Sequence, residues 1–350
     1  MWCFSVWGFM HVCIVFANDM VQRWLEKEGK DMNYKSIDGL ALPVSRIVFG
    51  TATPAMMQGQ DATELLDAVV AGGVNCFDTA RIYGLAEKSL GDWMQKRGNR
   101  DKVVVLDKGA HPLPDTVVPR VNPAAIEADI ARSLSMLQTE YVDIYLLHSD
   151  APTQPVGPIV EVLNDLRERG KLKLFGASNW TVDRLEAANE YAYEHDLEPF
   201  TVSSPNYGLA EQVLDPWGGG CVSISGPGGV ESRRWYQDSG VEIFAYATLA
   251  HGLFSGRVRS DALSEVTNVL DKFAIRGYCC RQNYERLRRT EQIAKKHGCT
   301  VAQAALAWVL AQPLEVFAEV SASTPERFSS NLGALDLELS PQELQFMDLR

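Results

Sequence analysis

The 350-residue sequence lacks the cysteine patterns of a disulfide framework or a structural zinc site. Its seven cysteines are an odd number, none belongs to a Cys-x-x-Cys pair, and the one adjacent pair is Cys279 and Cys280. Secreted disulfide scaffolds and zinc ribbons need regular cysteine spacing. We therefore predict a protein of a reducing, cytoplasmic compartment.

Positive charge is also scarce. The formal net charge is −12, because 45 acidic residues outnumber 33 lysines and arginines. A negative surface disfavours nucleic acid and anionic membranes as partners, although a small anionic cofactor needs only local positive potential. The six histidines are scattered singly along the chain. This scatter disfavours a metal-dependent barrel hydrolase or lyase, so no metal is predicted.

The first 31 residues lack the basic start of a signal peptide. Residues 1–17 are mostly apolar or aromatic, but the first Lys or Arg is Arg23,. A membrane span needs about 20 apolar residues, and this run is shorter. We interpret residues 1–31 as an atypical apolar N-terminal extension outside the fold, with Met32 as the natural start. A signal anchor is the alternative, and it would add a membrane partner.

Short apolar runs and amphipathic helical patterns alternate over residues 32–350. This alternation predicts parallel strands with right-handed crossovers, and eight strand signals favour an α/β fold of the (β/α)8 TIM-barrel type. A β-hairpin is predicted over residues 34–44, and insertions 215–240 and 251–280 predict long loops over the C-terminal face. Capping-box spacings at 61–64 and 340–343 predict two helix starts. The predicted barrel strands are 47–49, 74–77, 103–106, 141–147, 172–175, 200–202, 241–245 and 315–320.

Each predicted strand ends in, or is followed by, a polar or otherwise special residue. Parallel barrel strands end at one rim, so these residues should lie together. A single lysine or histidine has an ordinary structural explanation, but a cluster of buried charges needs pairing. In chain order the residues are Gly50-Thr51, Asp78, Lys108, His148, Ser178-Asn179, Ser204, Tyr246 and Ser321.

The loop after Asp78 carries Tyr83, which could deliver a proton. Tyrosine has an ordinary pKa of about 10, too high for ready proton donation at neutral pH. We predict that Lys108 lowers the pKa of Tyr83 and that Asp78 holds Lys108. Neutral His148 would orient a substrate oxygen through a hydrogen bond. Such a general acid suits reduction of a carbonyl group, on whose oxygen negative charge develops.

Several segments carry these residues: Phe77-Asp-Thr-Ala-Arg-Ile-Tyr-Gly84, the strand-end Lys108, Tyr145-Leu-Leu-His148, Gly176-Ala-Ser-Asn179 and Ala245-Tyr246. Together they resemble the aldo-keto reductases, and the resemblance extends from about Tyr34 to Leu349. It implies a nicotinamide cofactor that supplies the hydride, since side chains cannot. The implied catalytic residues are Asp78, Tyr83, Lys108 and His148, with Tyr83 as proton donor. The implied nicotinamide contacts are Ser178 and Asn179 at the carboxamide and Tyr246 stacked on the ring.

The chain contains neither a Gly-x-Gly-x-x-Gly nor a P-loop motif for the cofactor phosphates,. Residues 321–327 are the candidate instead, because small hydroxyl residues lead to a helix start at Pro325 and Arg327 could bind a phosphate. A plain capped helix is the alternative. The resemblance implies Arg327 at the 2′-phosphate and Asn331 near the adenine. The complete cofactor-binding prediction is Gly50, Thr51, Ser178, Asn179, Ser204, Tyr246, Ser321, Ser323, Arg327 and Asn331.

Some positions depart from the pattern of this family. Ser321 and Ser323 occupy sites where relatives often carry Lys or Arg, so the single cation Arg327 predicts NADP, with NAD as the alternative. Ser204 replaces a frequent glutamine, which weakens or changes the carboxamide contact. Asp107 replaces a common threonine, and it either raises the pKa of Lys108 or faces solvent.

The predicted function is reduction of a small aldehyde or ketone by an NADP-dependent aldo-keto reductase. The alternative is a nicotinamide-binding regulatory subunit with little turnover, like the potassium-channel β subunits of the same fold. The sequence does not identify the carbonyl compound. Aromatic residues of the rim loops could line an apolar pocket or pack beneath long loops; they are Trp180, Trp217, Trp235, Tyr236 and Phe254.

Overall fold

The computed structural model describes residues 32–113, 116 and 118–350. The interpretation of residues 1–31 as an extension therefore lies outside the described residues.

Eight parallel strands form a closed barrel in the order β10-β3-β4-β5-β6-β7-β8-β9. This topology confirms the predicted (β/α)8 fold. Strands β1 and β2 form the predicted antiparallel hairpin, with Tyr34 opposite Ser45. The strands are β1 Tyr34–Lys35, β2 Val44–Ser45, β3 Ile47–Gly50, β4 Cys76–Asp78, β5 Val104–Gly109, β6 Val142–Leu147, β7 Leu172–Ser178, β8 Val202–Ser204, β9 Glu242–Ala245 and β10 Val316–Val320.

Thirteen α-helices are found in the described part of the chain, and most of them surround the barrel. They are α1 Pro54–Met57, α2 Thr63–Ala71, α3 Ala86–Arg97, α4 Pro123–Leu137, α5 Gly157–Glu168, α6 Val182–Glu194, α7 Val230–Ser239, α8 Val266–Val269, α9 Lys272–Tyr278, α10 Arg281–His297, α11 Val301–Leu310, α12 Pro325–Asn331 and α13 Pro341–Met347.

Local sequence explains the helix starts, with one correction. The Ser340 hydroxyl and the Glu343 carboxylate form the predicted capping box of α13,. The capping box predicted at 61–64 is wrong, because α2 begins after Ala62 without a side-chain cap. Asp61 instead accepts a hydrogen bond from the Thr63 amide at 2.8 Å, only two residues ahead. This short-range contact is typical of an Asp in a turn.

The two insertions contain helices as well as loops. Helix α7 lies in the first insertion, and α8 and α9 lie in the second. The longest helix among the described residues, α10, follows the second insertion and was not predicted. Its buried face includes Asn283, Arg286 and Thr290 beside Leu287 and Ile293. This mixture obscures the apolar period on which helix prediction depends.

Alternate residues of each barrel strand face the lumen, as the pleat requires. At the amino end of the barrel these residues form one buried apolar cluster, to which Ile37 and Val44 of the hairpin contribute. The strand members are Val48, Cys76, Val104, Leu106, Ile144, Leu146, Leu174, Val202, Phe244 and Phe317. The remaining, outward-facing residues of the strands pack against the helices in a larger core. The amino half of the lumen is therefore packed, and chemistry is confined to the carboxyl end.

Gly176 of β7 allows a close approach of β8, which leads to a stability prediction. A Cβ added at Gly176 would lie 1.6 Å from the Val202 carbonyl oxygen. We expect Gly176→Ala to lower the free energy of unfolding by about 3 kcal/mol, since overpacking must push the strands apart. Urea denaturation measures this change. Gly228→Ala is the control, because an added Cβ there has no atom within 4 Å among the described residues; equal midpoints for the two variants would contradict the prediction.

Candidate active site

The lumen-facing register changes from apolar to polar at the carboxyl end of the strands. In β5, Val104 and Leu106 belong to the apolar cluster, and Lys108 is the next residue on the same face. In β10, Glu319 follows Phe317 in the same way. This register brings a ring of polar residues together at the mouth. They are Asp78, Lys108, His148, Ser178, Ser204, Tyr246 and Glu319.

Asp78 and Lys108 form a buried ion pair at this mouth. Lys108 Nζ contacts Asp78 Oδ2, and the side chains of Lys108 and Asp78 are 2% and 3% exposed. Burial lowers the pKa of Lys108, but nearby charges, that of Asp78 foremost, raise it above its ordinary value. Burial raises the pKa of Asp78, while Lys108 opposes this shift. Lys108 is therefore a fixed cation, because its charge is balanced inside the barrel.

Tyr83 lies on the loop after β4, within reach of this cation. Its backbone amide donates to the Ala80 carbonyl at 2.9 Å, which fixes the loop turn. Lys108 Nζ lies 5.6 Å from the centre of the phenol ring, and its charge favours ionisation of the Tyr83 hydroxyl. Burial raises the pKa of Tyr83 above its ordinary value and outweighs the lowering effect of Lys108. The predicted net lowering is thus wrong: the phenol retains its proton at neutral pH.

His148 contacts the other side of Tyr83. The two rings meet edge to face, with centroids 5.5 Å apart. Burial, followed by the charges of Lys108 and His111, lowers the pKa of His148 well below its ordinary value. Among the described residues, none is hydrogen-bonded to His148 Nδ1. A neutral imidazole beside a protonated phenol can donate a hydrogen bond without competing for the transferred proton.

The residues predicted to bind the carboxamide form a second, connected corner. Ser178 Oγ donates to the Ser204 carbonyl at 2.8 Å, and Asn179 Nδ2 donates to Ser178 Oγ at 3.1 Å. Asn179 Oδ1 accepts from the Tyr246 hydroxyl at 2.7 Å and from the Val222 amide at 3.2 Å. Asn179 also has a φ of 62°. Backbone strain of this kind clusters at functional sites.

The end of β3 lies against the end of β10. Ser321 Oγ donates to the Gly50 carbonyl at 2.8 Å, and a Cβ at Gly50 would lie 2.5 Å from that hydroxyl. A larger residue at position 50 would therefore displace the Ser321 hydroxyl from this contact. The Thr51 hydroxyl is buried, and within the described parts of the chain no group is hydrogen-bonded to it. A buried polar atom of this kind is expected to have a partner.

The remaining predicted cofactor residues lie on or just before α12. Thr324 caps this helix by accepting from the Arg327 amide at 3.3 Å. Arg327 Nη1 donates to Ser323 Oγ at 3.2 Å, and both side chains are exposed. Asn331, at the end of the helix, is buried. The structure thus presents Arg327 and Ser323 together to solvent, where an anion has access to both.

Glu319 is the site residue that sequence reasoning missed. It lies at the barrel mouth with Asp78 and Lys108, and burial and the Asp78 charge raise the pKa of Glu319 to about 8, while Lys108 lowers it. The alternation of side chains along a strand could have identified Glu319. It lies two residues beyond Phe317 in a predicted strand, so the two side chains should lie on the same face. The usual assumption that strand interiors are apolar concealed it.

Of the two alternatives for Asp107, exposure to solvent is wrong, whereas a charge interaction with Lys108 is present. Asp107 is fully buried on the outer face of β5 rather than exposed, as alternation with Lys108 requires. Burial and the charge of Glu87 raise the pKa of Asp107 well above its ordinary value. Its carboxyl group belongs to a polar cluster between barrel and helices with Glu87, Ser133 and Tyr145.

The aromatic residues of the rim loops divide between core and mouth. Trp180, Tyr236 and Phe254 are buried in the core, so they do not line an open pocket. Trp235 is partly buried and donates to Glu186 at 2.5 Å. Trp217 is 49% exposed, and its ring lies 6.4 Å from that of Tyr246. Of these five, Trp217 is the one that borders the candidate site.

Residues 32–113, 116 and 118–350 contain neither a metal-binding cluster nor a membrane-spanning helix. No group of three or more His, Cys, Asp or Glu side chains is arranged to hold a metal ion there. No helix in the same residues combines the length and apolar character needed to cross a membrane.

Comparisons with known proteins agree with this geometry. The sequence model described as "Aldo/keto reductase family" matches residues 46–348. The chain is 29% identical to "Protein tas" of Escherichia coli (strain K12), over 89% of this chain and 96% of that protein. It is 27% identical to "Aldo-keto reductase YhdN" of Bacillus subtilis, over 81% and 82%. It is 26% identical to "Aryl-alcohol dehydrogenase [NADP(+)]" of Phanerodontia chrysosporium, over 83% and 76%. The chain belongs to the aldo/keto reductase family of oxidoreductases.

Proposed function

We propose that this chain reduces an aldehyde or ketone to an alcohol with NADPH, and that Tyr83 is the general acid. The observation that carries the proposal is the contact of the Tyr83 phenol with Lys108 on one side and His148 on the other. Reduction of a carbonyl group places negative charge on oxygen, and a hydrogen-bond donor and a proton source are needed there.

Tyr83, Lys108 and His148 at the barrel mouth each have a separate role in this reaction. Tyr83 holds its proton at neutral pH and gives it to the carbonyl oxygen as charge develops there. Lys108 stabilises the resulting phenolate because the cation is held beside the phenol by Asp78,. His148, kept neutral by burial, orients the oxygen. A bound nicotinamide cofactor would supply the hydride.

The cofactor-binding residues fit an NADP molecule by their chemistry. Ser178, Asn179 and Tyr246 lie in one corner of the mouth, where an amide and an aromatic ring suit a nicotinamide. Arg327 and Ser323 are exposed together near the end of β10, and a guanidinium with a hydroxyl suits a phosphate monoester. The unsatisfied Thr51 hydroxyl adds a free hydrogen-bonding group. These contacts support NADP over NAD.

The partner is a small carbonyl compound rather than nucleic acid or a membrane, given the acidic composition,. Exposed apolar side chains of the rim loops include Trp217 and Leu214, which supports a substrate with an apolar portion. The cytoplasmic location drawn from the cysteine pattern stays a prediction. The regulatory-subunit alternative would use the same cofactor residues with negligible turnover, and a turnover measurement separates the two.

Nicotinamide fluorescence of the purified protein, titrated with NADPH and with NADH, tests the cofactor choice. We expect NADPH to bind at least about tenfold more tightly, because one charged hydrogen-bonded contact is worth about 1.5–3 kcal/mol. Arg327→Ala should remove most of this preference and leave the affinity for NADH unchanged. A carbonyl panel that includes aromatic aldehydes should then show steady oxidation of NADPH.

The matched control for Arg327→Ala is Arg234→Ala. Arg234 is an exposed arginine of α7 that pairs with Glu231, and its removal should leave both affinities unchanged. Equal affinities for the two cofactors in the wild type would contradict the NADP proposal. Tight NADPH binding with no turnover on any carbonyl compound would favour the regulatory alternative.

A further inference from the structure

Glu319 is a titratable group to which the proposed reaction assigns no role. Its backbone is held by the barrel: it pairs in register with Val48 of β3, and its carbonyl oxygen accepts from Thr248 Oγ1 at 2.7 Å. Its side chain belongs to the lumen register two residues beyond Phe317. The carboxyl group is therefore fixed at the barrel mouth by the strand, not by a mobile loop.

The Glu319 carboxyl group reaches both halves of the site. Glu319 Oε1 lies 3.5 Å from Ser204 Oγ, which donates to it from the carboxamide corner. The same carboxyl group interacts electrostatically with that of Asp78, the partner of Lys108. In the barrel order β8 and β4 each lie two strands from β10. Glu319 therefore lies between Ser204 and Asp78, whose strands are on opposite sides of β10 in the barrel.

Two carboxyl groups that interact inside the barrel favour a state in which one of them carries a proton. Both face the single ammonium of Lys108, and two ionised carboxylates would leave a net negative charge inside the barrel. Burial and the Asp78 charge raise the pKa of Glu319 to about 8, although Lys108 lowers it. Glu319 is consequently the carboxyl group that carries the proton, and Asp78 is the carboxylate that pairs with Lys108.

The other titratable groups around Glu319 hold constant charge near neutral pH. They are Asp78 and Cys76 of β4, Lys108 of β5 and Tyr83 of the following loop. Burial raises the pKa of both Cys76 and Tyr83, so both stay neutral, and Lys108 stays cationic. Between about pH 6 and about pH 9 the proton of the Asp78–Glu319 pair is the one that changes.

We propose that Glu319 is a positioning residue of the reductase site, which keeps its own proton beside the Asp78 carboxylate and so keeps the charge around Lys108 balanced while Tyr83 acts. This inference rests on the proposed function. Loss of the Glu319 proton places a second negative charge near the phenol, and that charge raises the pKa of Tyr83 further. A weaker acid protonates the substrate more slowly, so turnover should decline at alkaline pH.

The pH profile of kcat tests the inference with Glu319→Gln, which keeps a hydrogen-bonding group but cannot ionise. We expect wild-type kcat to fall about tenfold between about pH 6.5 and about pH 9, following one ionisation near pH 8, and kcat of Glu319→Gln to stay within about twofold. Glu315→Gln is the matched control, because Glu315 is exposed just before the same strand, and it should keep the wild-type profile. An unchanged alkaline decline in Glu319→Gln would overturn the inference.

Thermal unfolding supplies a readout that does not need turnover. The pKa of Glu319 in the folded chain lies above its ordinary value of about 4.3, so the proton stabilises the fold fully below about pH 4 and this stabilisation is lost as pH rises to about 8. The Tm of Glu319→Gln minus that of the wild type should therefore increase by about 3 °C or more from about pH 5 to about pH 8.5. If this difference in Tm does not change with pH, the role of Glu319 is contradicted even when carbonyl reduction is confirmed. If the difference in Tm increases with pH, the role is supported even when no substrate is found.

Discussion

Tyr83→Phe should reduce kcat for carbonyl reduction by about 10³-fold or more while NADPH still binds. Removal of a general acid costs about 10²–10⁴-fold, and in this site the phenol hydroxyl is the group that faces both Lys108 and His148. The ring itself is partly buried against the core, so phenylalanine fills the same space. Stopped-flow measurement of the hydride-transfer step, with nicotinamide fluorescence for binding, gives both quantities.

Tyr193→Phe is the matched control for this substitution. Tyr193 is an exposed residue of α6, and loss of its hydroxyl should leave both rate and affinity at wild-type values. Persistence of carbonyl reduction in Tyr83→Phe would mean that another group delivers the proton. Loss of NADPH affinity together with the rate would mean that Tyr83 serves the cofactor site instead.

Lys108→Met should lower both stability and turnover. The substitution leaves the Asp78 carboxylate buried without its cation, and breaking a buried pair by removing one partner costs about 3–5 kcal/mol. Tyr83 also loses the charge that would stabilise its phenolate, so kcat should fall at least about 100-fold. Urea denaturation and steady-state kinetics measure the two effects separately.

Two further variants distinguish charge balance from packing in Lys108→Met. Adding Asp78→Leu removes the unpaired carboxylate, so the double variant should recover much of the lost stability but none of the activity. Lys96→Met removes an exposed lysine of α3 paired loosely with Asp61 at 3.6 Å, and it should change stability by less than about 0.5 kcal/mol. If the single and double variants lose the same free energy of unfolding, the packing of the aliphatic part of Lys108, not its charge, supports the fold.

Much of the fold was predictable because the pattern of apolar residues along the sequence indicates strands and helices directly. The short apolar runs of β5 and β6 and the start of α4 at Asn122-Pro123 are local features,. The predicted strands then placed the residues at their carboxyl ends together at one rim, because parallel barrel strands end on the same side. The structure accordingly brings the predicted Asp78, Lys108 and His148 together, although their roles remain proposals.

The parts that sequence reasoning missed depend on three-dimensional surroundings. Lys108 was visible as a group that lowers the pKa of Tyr83, but the burial that outweighs it was not. Helix α10 buries Asn283 and Arg286, and only their tertiary partners make that burial acceptable. Asp107 and Lys108 are neighbours in sequence, yet the pleat sends them to opposite sides of the barrel wall.

The hairpin of β1 and β2 has a consequence for where this molecule can be cut. The family sequence model begins at residue 46, whereas Ile37 and Val44 lie before that boundary and close the amino end of the lumen. A shortened chain that starts at Arg46 would retain every candidate catalytic residue but would lack Ile37 and Val44, which belong to the apolar cluster of the lumen. We therefore expect a stable fragment to need the hairpin as well as residues 46–348.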